Sequence, residues 1–218
     1  MLYAKQNGAI TLASPGARAA CPSCGKPVVA KCGHIVVWHW AHQSKDCDPW
    51  AEPMSEWHAR WQQLAPADRQ EVVMEKNGER HRADVIARNG GVLELQYSSI
   101  GVADIRRRER FYGHMAWMYH AHWTDRLHFG KYGFWWKHGA ITQTAITKPL
   151  FWDLGDEVWR VSLSRAKERV YGVLDRATGQ IRSHVDIQTS RVLGKVVRRW
   201  KTDEFARATF GRSFSEVA

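Results

Sequence analysis

The chain has no apolar run long enough to cross a bilayer, and its opening Met1-Leu2-Tyr3-Ala4-Lys5-Gln6 lacks the apolar stretch of a secretory signal. Nor is there a strongly amphipathic basic helix with a broad apolar face, which argues against a membrane-surface protein. Neither an internal repeat nor a low-complexity linker is visible, so solenoid and flexible-tether architectures are excluded and the parts are expected to pack together. A cytoplasmic location is expected, and oligomeric state is not legible. Acids are scarce relative to bases, with 22 Asp+Glu against 32 Lys+Arg, a formal charge of +10. Such an excess favours a polyanionic partner, because cations that contact phosphates release condensed counterions. Cysteine is sparse at 4 residues, too few for a disulfide scaffold in a chain of 218.

What is present begins with Cys21-Pro22-Ser23-Cys24-Gly25-Lys26, where two thiolates three positions apart on a tight turn can share one tetrahedral ion. A redox pair is the competing reading, but the strand before it and the helix after it are missing. The surrounding segment, up to about Pro49, is rich in glycine and small residues. Candidate strands lie at Ala9 to Ala13 and Ile35 to Trp38, with too little apolar content for a core of their own.

Ser55 reads as the N-cap of a helix introduced by Pro53, with Trp57, Trp61 and Leu64 as its apolar stripe and Glu56 in its first turn. Strands are expected at Val72 to Glu75, Ala83 to Ala87 and Val92 to Tyr97, joined by turns at Asn77-Gly78 and Asn89-Gly90-Gly91. A basic helix over Val102 to His114 and a strand from Ala116 to Ala121 follow. Neighbouring strands would bring Asp84 and Glu94 together. Two half-buried carboxylates in contact persist best beside a cation, and Mg²⁺ or Mn²⁺ held there could polarise a phosphate.

Downstream, Phe129 to Gly139 interleaves aromatic and basic residues, either to stack bases or, more economically for a chain with 12 tryptophans, as packed core. Pro149 to Val161 reads as two strands about an Asp153 to Asp156 turn, Arg165 to Gln188 as a hairpin about Asp175 to Gly179, and Val192 to Trp200 as a basic helix.

Ser55-Glu56-Trp57-His58, His81-Arg82-Ala83-Asp84-Val85, Glu94-Leu95-Gln96-Tyr97-Ser98-Ser99 and the Arg106 to Gly113 run, behind a Cys-Pro-x-Cys finger, together resemble the competence protein CoiA-like family and, more broadly, the PD-(D/E)XK nuclease superfamily. The resemblance covers roughly residues 15 to 160. It implies an α+β (α/β) restriction-endonuclease-like core over residues 51–164, behind a zinc finger at 1–50 and ahead of a basic C-terminal extension at 165–218. It implies zinc ligands Cys21, Cys24, His39 and His42, with Cys32, His34 and Cys47 as alternatives to the histidines. It gives Glu56, Asp84, Glu94 and Gln96 the catalytic positions, with Asp84 and Glu94 as the magnesium ligands. Gln96 stands where the superfamily usually carries a lysine, and the missing charge is then sought from Arg82, His81 or His58. Arg82, Ser98, Arg106, Arg107 and Arg110 are the expected phosphate contacts on DNA. The implied activity is a metal-dependent DNA endonuclease or nickase in DNA uptake, recombination or processing. A catalytically weak nuclease fold that binds DNA and recruits recombination proteins is the alternative.

Overall fold

The computed structural model describes residues 1–217 other than 44–46, 51–53, 123, 131–132, 138–140, 166–170, 175–180 and 185–190. The N-terminal segment forms a five-stranded sheet from β1 (Tyr3–Gln6), β2 (Ala9–Leu12), β3 (Arg18–Ala20), β4 (Pro27–Lys31) and β5 (His39–His42), in the order β2-β1-β3-β4-β5. The second strand falls at 39–42 rather than at Ile35 to Trp38. Ile35 is 93% exposed while Trp40 is 1% exposed, so the apolar run is a surface loop and the alternating segment after it is the strand. Contrary to expectation this unit has a small core, in which Met1, Ala4, Ala13, Cys21, Val28 and Trp40 pack together.

Helix α1 (Glu56–Gln62) begins at Ser55, whose Oγ accepts from the His58 N–H at 3.1 Å. The strands β6 (Gln70–Lys76), β7 (Glu79–Ile86) and β8 (Val92–Gln96) form an antiparallel meander. Gly90, at φ +78°, makes the β7–β8 turn, and the Asn89 side chain accepts from the Gly91 N–H. Helix α2 (Val102–Tyr112) then crosses over to β9 (Met115–His120), which pairs parallel to β8. This helix, three strands, helix, strand order is the one expected for residues 55 to 121. Pro53 lies outside the described residues.

The remaining strands β10 (Leu127–Gly130), β11 (Gly133–Lys137), β12 (Leu150–Asp153), β13 (Glu157–Arg165), β14 (Tyr171–Leu174), β15 (Ile181–His184) and β16 (Arg191–Lys201) precede α3 (Thr202–Phe210). The main sheet has nine strands, ordered β10-β11-β16-β13-β12-β9-β8-β7-β6, and β14–β15 is a separate antiparallel pair. The turn expected at Asp175 to Gly179 lies outside the described residues. In the Phe129 to Gly139 run, Phe134 and Trp136 are buried in the main core, so the packing reading applies to these two, while Phe129 is exposed; residues 131–132 and 138–139 lie outside.

The helix expected at Val192 to Trp200 is instead the strand β16, lying between β11 and β13. Its first half alternates with period two: Val192 is fully buried and Val196 packs on the core, while Lys195 and Val197 are exposed. Gly194 pairs with Phe134, whose ring would lie 2.0 Å from any Cβ added there. That close approach and the β-branched valines outweigh the helix-like charge spacing. β16 and α3 are therefore part of the same layered structure as α1 and the main sheet, with Phe205 and Phe210 of α3 packed beside Trp61 of α1 over one face of the sheet.

Candidate metal and carboxylate sites

In the N-terminal unit, Cys21, Cys24, His42 and Cys47 bring one donor atom each to within 4.8 Å of all the others. Cys21 Sγ lies 3.8 Å from Cys47 Sγ, and Cys24 Sγ 3.3 Å from His42 Nε2. Thiolates bound tetrahedrally at roughly 2.3 Å from zinc would sit about 3.8 Å apart, so the donor set fits that ion in kind and in spacing. Burial opposes ionisation of Cys24, yet the Lys26 backbone, His42 and the neighbouring thiols bring it down to about 7. Cys47 is pushed up to about 12, by burial first and then by Cys24 and Cys21. Four such groups crowded without a cation resist collective deprotonation, which a divalent ion would relieve.

His39 is not in this group, and Cys47 takes the place expected for it. The reason is the strand: residues three apart on β5 face opposite sides of the sheet, so His42 turns inward while His39 Nδ1 sits 2.8 Å from the Val37 carbonyl. Cys32 and His34 also stand apart from the donor set. No second group of converging metal-type donors occurs among the described residues.

The finger is tied to the main sheet by polar contacts, the most buried of them at Asp48. Asp48, next to Cys47, accepts from the Arg82 N–H at 2.7 Å and lies 3.0 Å from His81 Nδ1, and the His81 ring stacks on Trp50 at 3.2 Å. Glu71 Oε2 accepts from the Leu2 and Tyr3 N–H groups, and Arg80 donates to the Ser23 carbonyl. Arg82, expected on phosphate, is turned into this junction, its Nε 3.9 Å from Glu71 and its side chain 11% exposed. His81 is committed there as well.

Asp84 and Glu94 meet as expected, at a break in the sheet. The β7–β8 ladder pairs Val85 with Leu93 and Ile86 with Val92, and one step further Leu95 N–H donates to the Asp84 carboxylate at 2.9 Å instead of to backbone. The Asp84 N–H in turn points at Glu94 Oε1, 3.5 Å away. His58 Nε2 stands 3.2 Å from Asp84 Oδ1, and Arg108 Nη1 donates to Glu94 Oε2 at 2.9 Å. Arg108 also donates to the Trp50 carbonyl and lies near the faces of Trp50 and Trp117. It belongs to the buried stripe Ile105, Arg108, Glu109 and Tyr112 of α2, at the spacing of one helix face.

The charges of this cluster are uneven. Desolvation, then the Asp84 charge, pushes Glu94 up to about 7 against the pull of Arg108. Desolvation acts upward on Asp84 too, but the His58 charge and the bonds from His58 and Leu95 hold it below the ordinary carboxylate range. Arg108 is raised despite burial, because Glu94 and Asp84 favour its cation.

From α1 it is His58 that reaches the pair. Glu56 is exposed and lines a different hollow with Trp57, Tyr97 and His120. Gln96 is 1% exposed and donates to the Ser98 carbonyl at 3.1 Å, so its amide braces the loop after β8. Ser98, Arg106, Arg107 and Arg110 are exposed, as phosphate contacts would need to be. Arg108, inside the same basic run, is the member of this cluster that the sequence did not single out. Its place at i+3 from the apolar Ile105 was the available signal.

Removing one member of the Arg108–Glu94 pair leaves a buried charge uncompensated, so Arg108→Ala is expected to cost about 3–5 kcal/mol in denaturant unfolding, against about 1 kcal/mol or less for Arg107→Ala. Equal losses in the two variants would mean that Arg108 is not buried against Glu94.

These features define an α+β protein whose N-terminal sheet carries a Cys₃His group able to hold zinc. Residues 16–49 match the family described as competence protein CoiA, N-terminal domain, and this supports the CoiA-like family for the chain. No curated protein and no solved structure matches it.

Proposed function

We propose that the chain is a metal-dependent DNA endonuclease or nickase of the PD-(D/E)XK type, in a competence-related role of DNA uptake, recombination or processing. The observation that carries this reading is the pairing of half-buried Asp84 with buried Glu94 at the split between β7 and β8, faced by His58 and Arg108. A carboxylate drawn up to about 7 by burial and a neighbouring acid marks a pocket still short of positive charge. The oxygen donors fit a hard cation: Asp84, Glu94 and the Leu95 carbonyl would hold Mg²⁺ or Mn²⁺. Such an ion, when bound, polarises a phosphate and acidifies a water molecule.

The chain's own groups supply the rest. Arg108 places fixed positive charge and N–H donors beside the carboxylates, with the His58 imidazole facing Asp84, the part a lysine at position 96 would otherwise play. Gln96 holds the loop that presents Ser98. Arg106, Arg107 and Arg110 lie on the exposed face of α2 and would meet the phosphate backbone. Their triple alanine variant is expected to weaken DNA binding and to reduce the slope of log affinity on log salt by up to about 0.9 for each phosphate left without its cation. An unchanged slope would assign these arginines to ordinary surface.

The direct test is a Mg²⁺ and Mn²⁺ titration of cleavage on matched single-stranded, duplex, flap and four-way-junction DNA. Metal-dependent cutting of any of them supports the enzyme. Tight binding with no cutting of any substrate favours the second reading, a DNA-binding protein that recruits recombination partners, which the uncharged Gln96 keeps in play.

A further inference from the structure

A cavity of about 770 Å³ lies apart from the carboxylate site. Leu93 lines it, and Leu93 and Glu94 are adjacent on β8 and so point to opposite faces of the sheet. The cavity therefore opens on the face that carries α3, away from Glu94 and Arg108. Its floor is apolar, formed by Leu93, Phe151, Trp200 and Phe205, where α3 leaves the sheet face incompletely covered. Its rim carries Arg88, His114, Lys148 and Arg160, and no Asp or Glu lines it. None of the three Lys and Arg side chains forms an ion pair among the described residues.

We infer that this hollow is a docking site for an acidic peptide segment of a partner protein, one carrying bulky apolar side chains between its carboxylates. The floor and the rim make separate demands. Cations in water need no partner, but cations ringing a depression attract an anionic ligand and repel a basic one. A phosphate backbone would use the rim and leave an apolar floor uncovered, whereas apolar side chains seated on Phe151 and Trp200 remove that surface from water. A volume of this size suits a few side chains rather than a folded domain. A peptide chain meets both demands at once, supplying aromatic or aliphatic anchors to the floor and carboxylates to Arg88, Lys148 and Arg160. Because the site faces away from Glu94, a bound partner would leave the carboxylate face open to substrate, and the inference stands whether or not the chain cuts DNA.

The test uses the full-length protein and short fluorescein-labelled peptides in which Asp alternates with Phe, Asp with Ser, or Lys with Phe. Anisotropy is expected to show binding of the Asp–Phe peptide alone. Lys148→Glu combined with Arg160→Glu should weaken it about tenfold or more. Ala208→Trp, a change at an exposed position of α3 on the cavity wall, should weaken it to a similar degree by filling the hollow while thermal melting stays as in the wild type. Equal affinity for the Asp–Phe and Asp–Ser peptides, or affinity unchanged in both variants, overturns the inference. So does a single-stranded oligonucleotide whose binding is lost in both variants while the Asp–Phe peptide never binds, since that would give the surface to nucleic acid.

Discussion

Asp84→Ala and Glu94→Ala are each expected to reduce Mg²⁺- or Mn²⁺-dependent DNA cleavage by about a hundredfold or more, with DNA affinity kept within a few-fold of wild type. Both carboxylates are acceptors in a place that otherwise collects positive charge, so losing one removes a ligand for a hard cation without removing a phosphate contact. The relief of repulsion should, if anything, favour the polyanion. Glu94→Ala also strands Arg108 in the interior, which confuses loss of activity with loss of fold. Glu94→Gln separates the two, because its amide oxygen can still accept from Arg108 while the negative charge is gone. Full metal-dependent cleavage in Asp84→Ala and Glu94→Gln, with contaminating nuclease excluded by a mock purification, would falsify the carboxylate assignment. Gln96→Ala should act more weakly than either, through the loop it braces at Ser98.

The second large effect is expected in the finger. Elemental analysis should find one zinc per chain, lost in Cys21→Ser, Cys24→Ser, His42→Ala and Cys47→Ser and kept in His39→Ala and Cys32→Ser. The ion's binding energy is folding energy for a unit with so small a core, on the order of 10 kcal/mol or more for structural zinc. Chelation should therefore expose Trp40, now 1% exposed, and shift tryptophan emission to the red. It should also loosen the Asp48 contacts to His81 and Arg82, because Asp48 is the residue next to the ligand Cys47. Zinc retained in Cys47→Ser but lost in His39→Ala would restore the histidine pair and reject the donor set proposed in its place.

What the sequence by itself determined is local. Short apolar runs on either side of Asn89-Gly90-Gly91 specify a hairpin, and a hairpin is enough to set Asp84 level with Glu94. Ser55 starts α1, and the cysteine pair of a tight turn announces a metal site before its last ligand is known. The order of elements from Ser55 to His120 was legible for the same reason, since each link is a short-range pattern.

Only the tertiary structure decided which distant groups serve those places. The zinc-type cluster takes Cys47 rather than His39 because β5 is a strand, and a spacing of three that would align two side chains on a helix separates them on a sheet. In charge and residue type Arg108 matches Arg106, Arg107 and Arg110, and only its i+3 spacing from Ile105 sets it apart in sequence. The rotation of α2 on the sheet buries one of the four against Glu94 and leaves the other three in water. Charge and spacing at Val192 to Trp200 allowed a helix, but a vacant ladder between β11 and β13 and the ring of Phe134 over Gly194 selected a strand. In each case the deciding energy comes from a partner far away along the chain, where local propensities of a few tenths of a kcal/mol per residue carry no information about it.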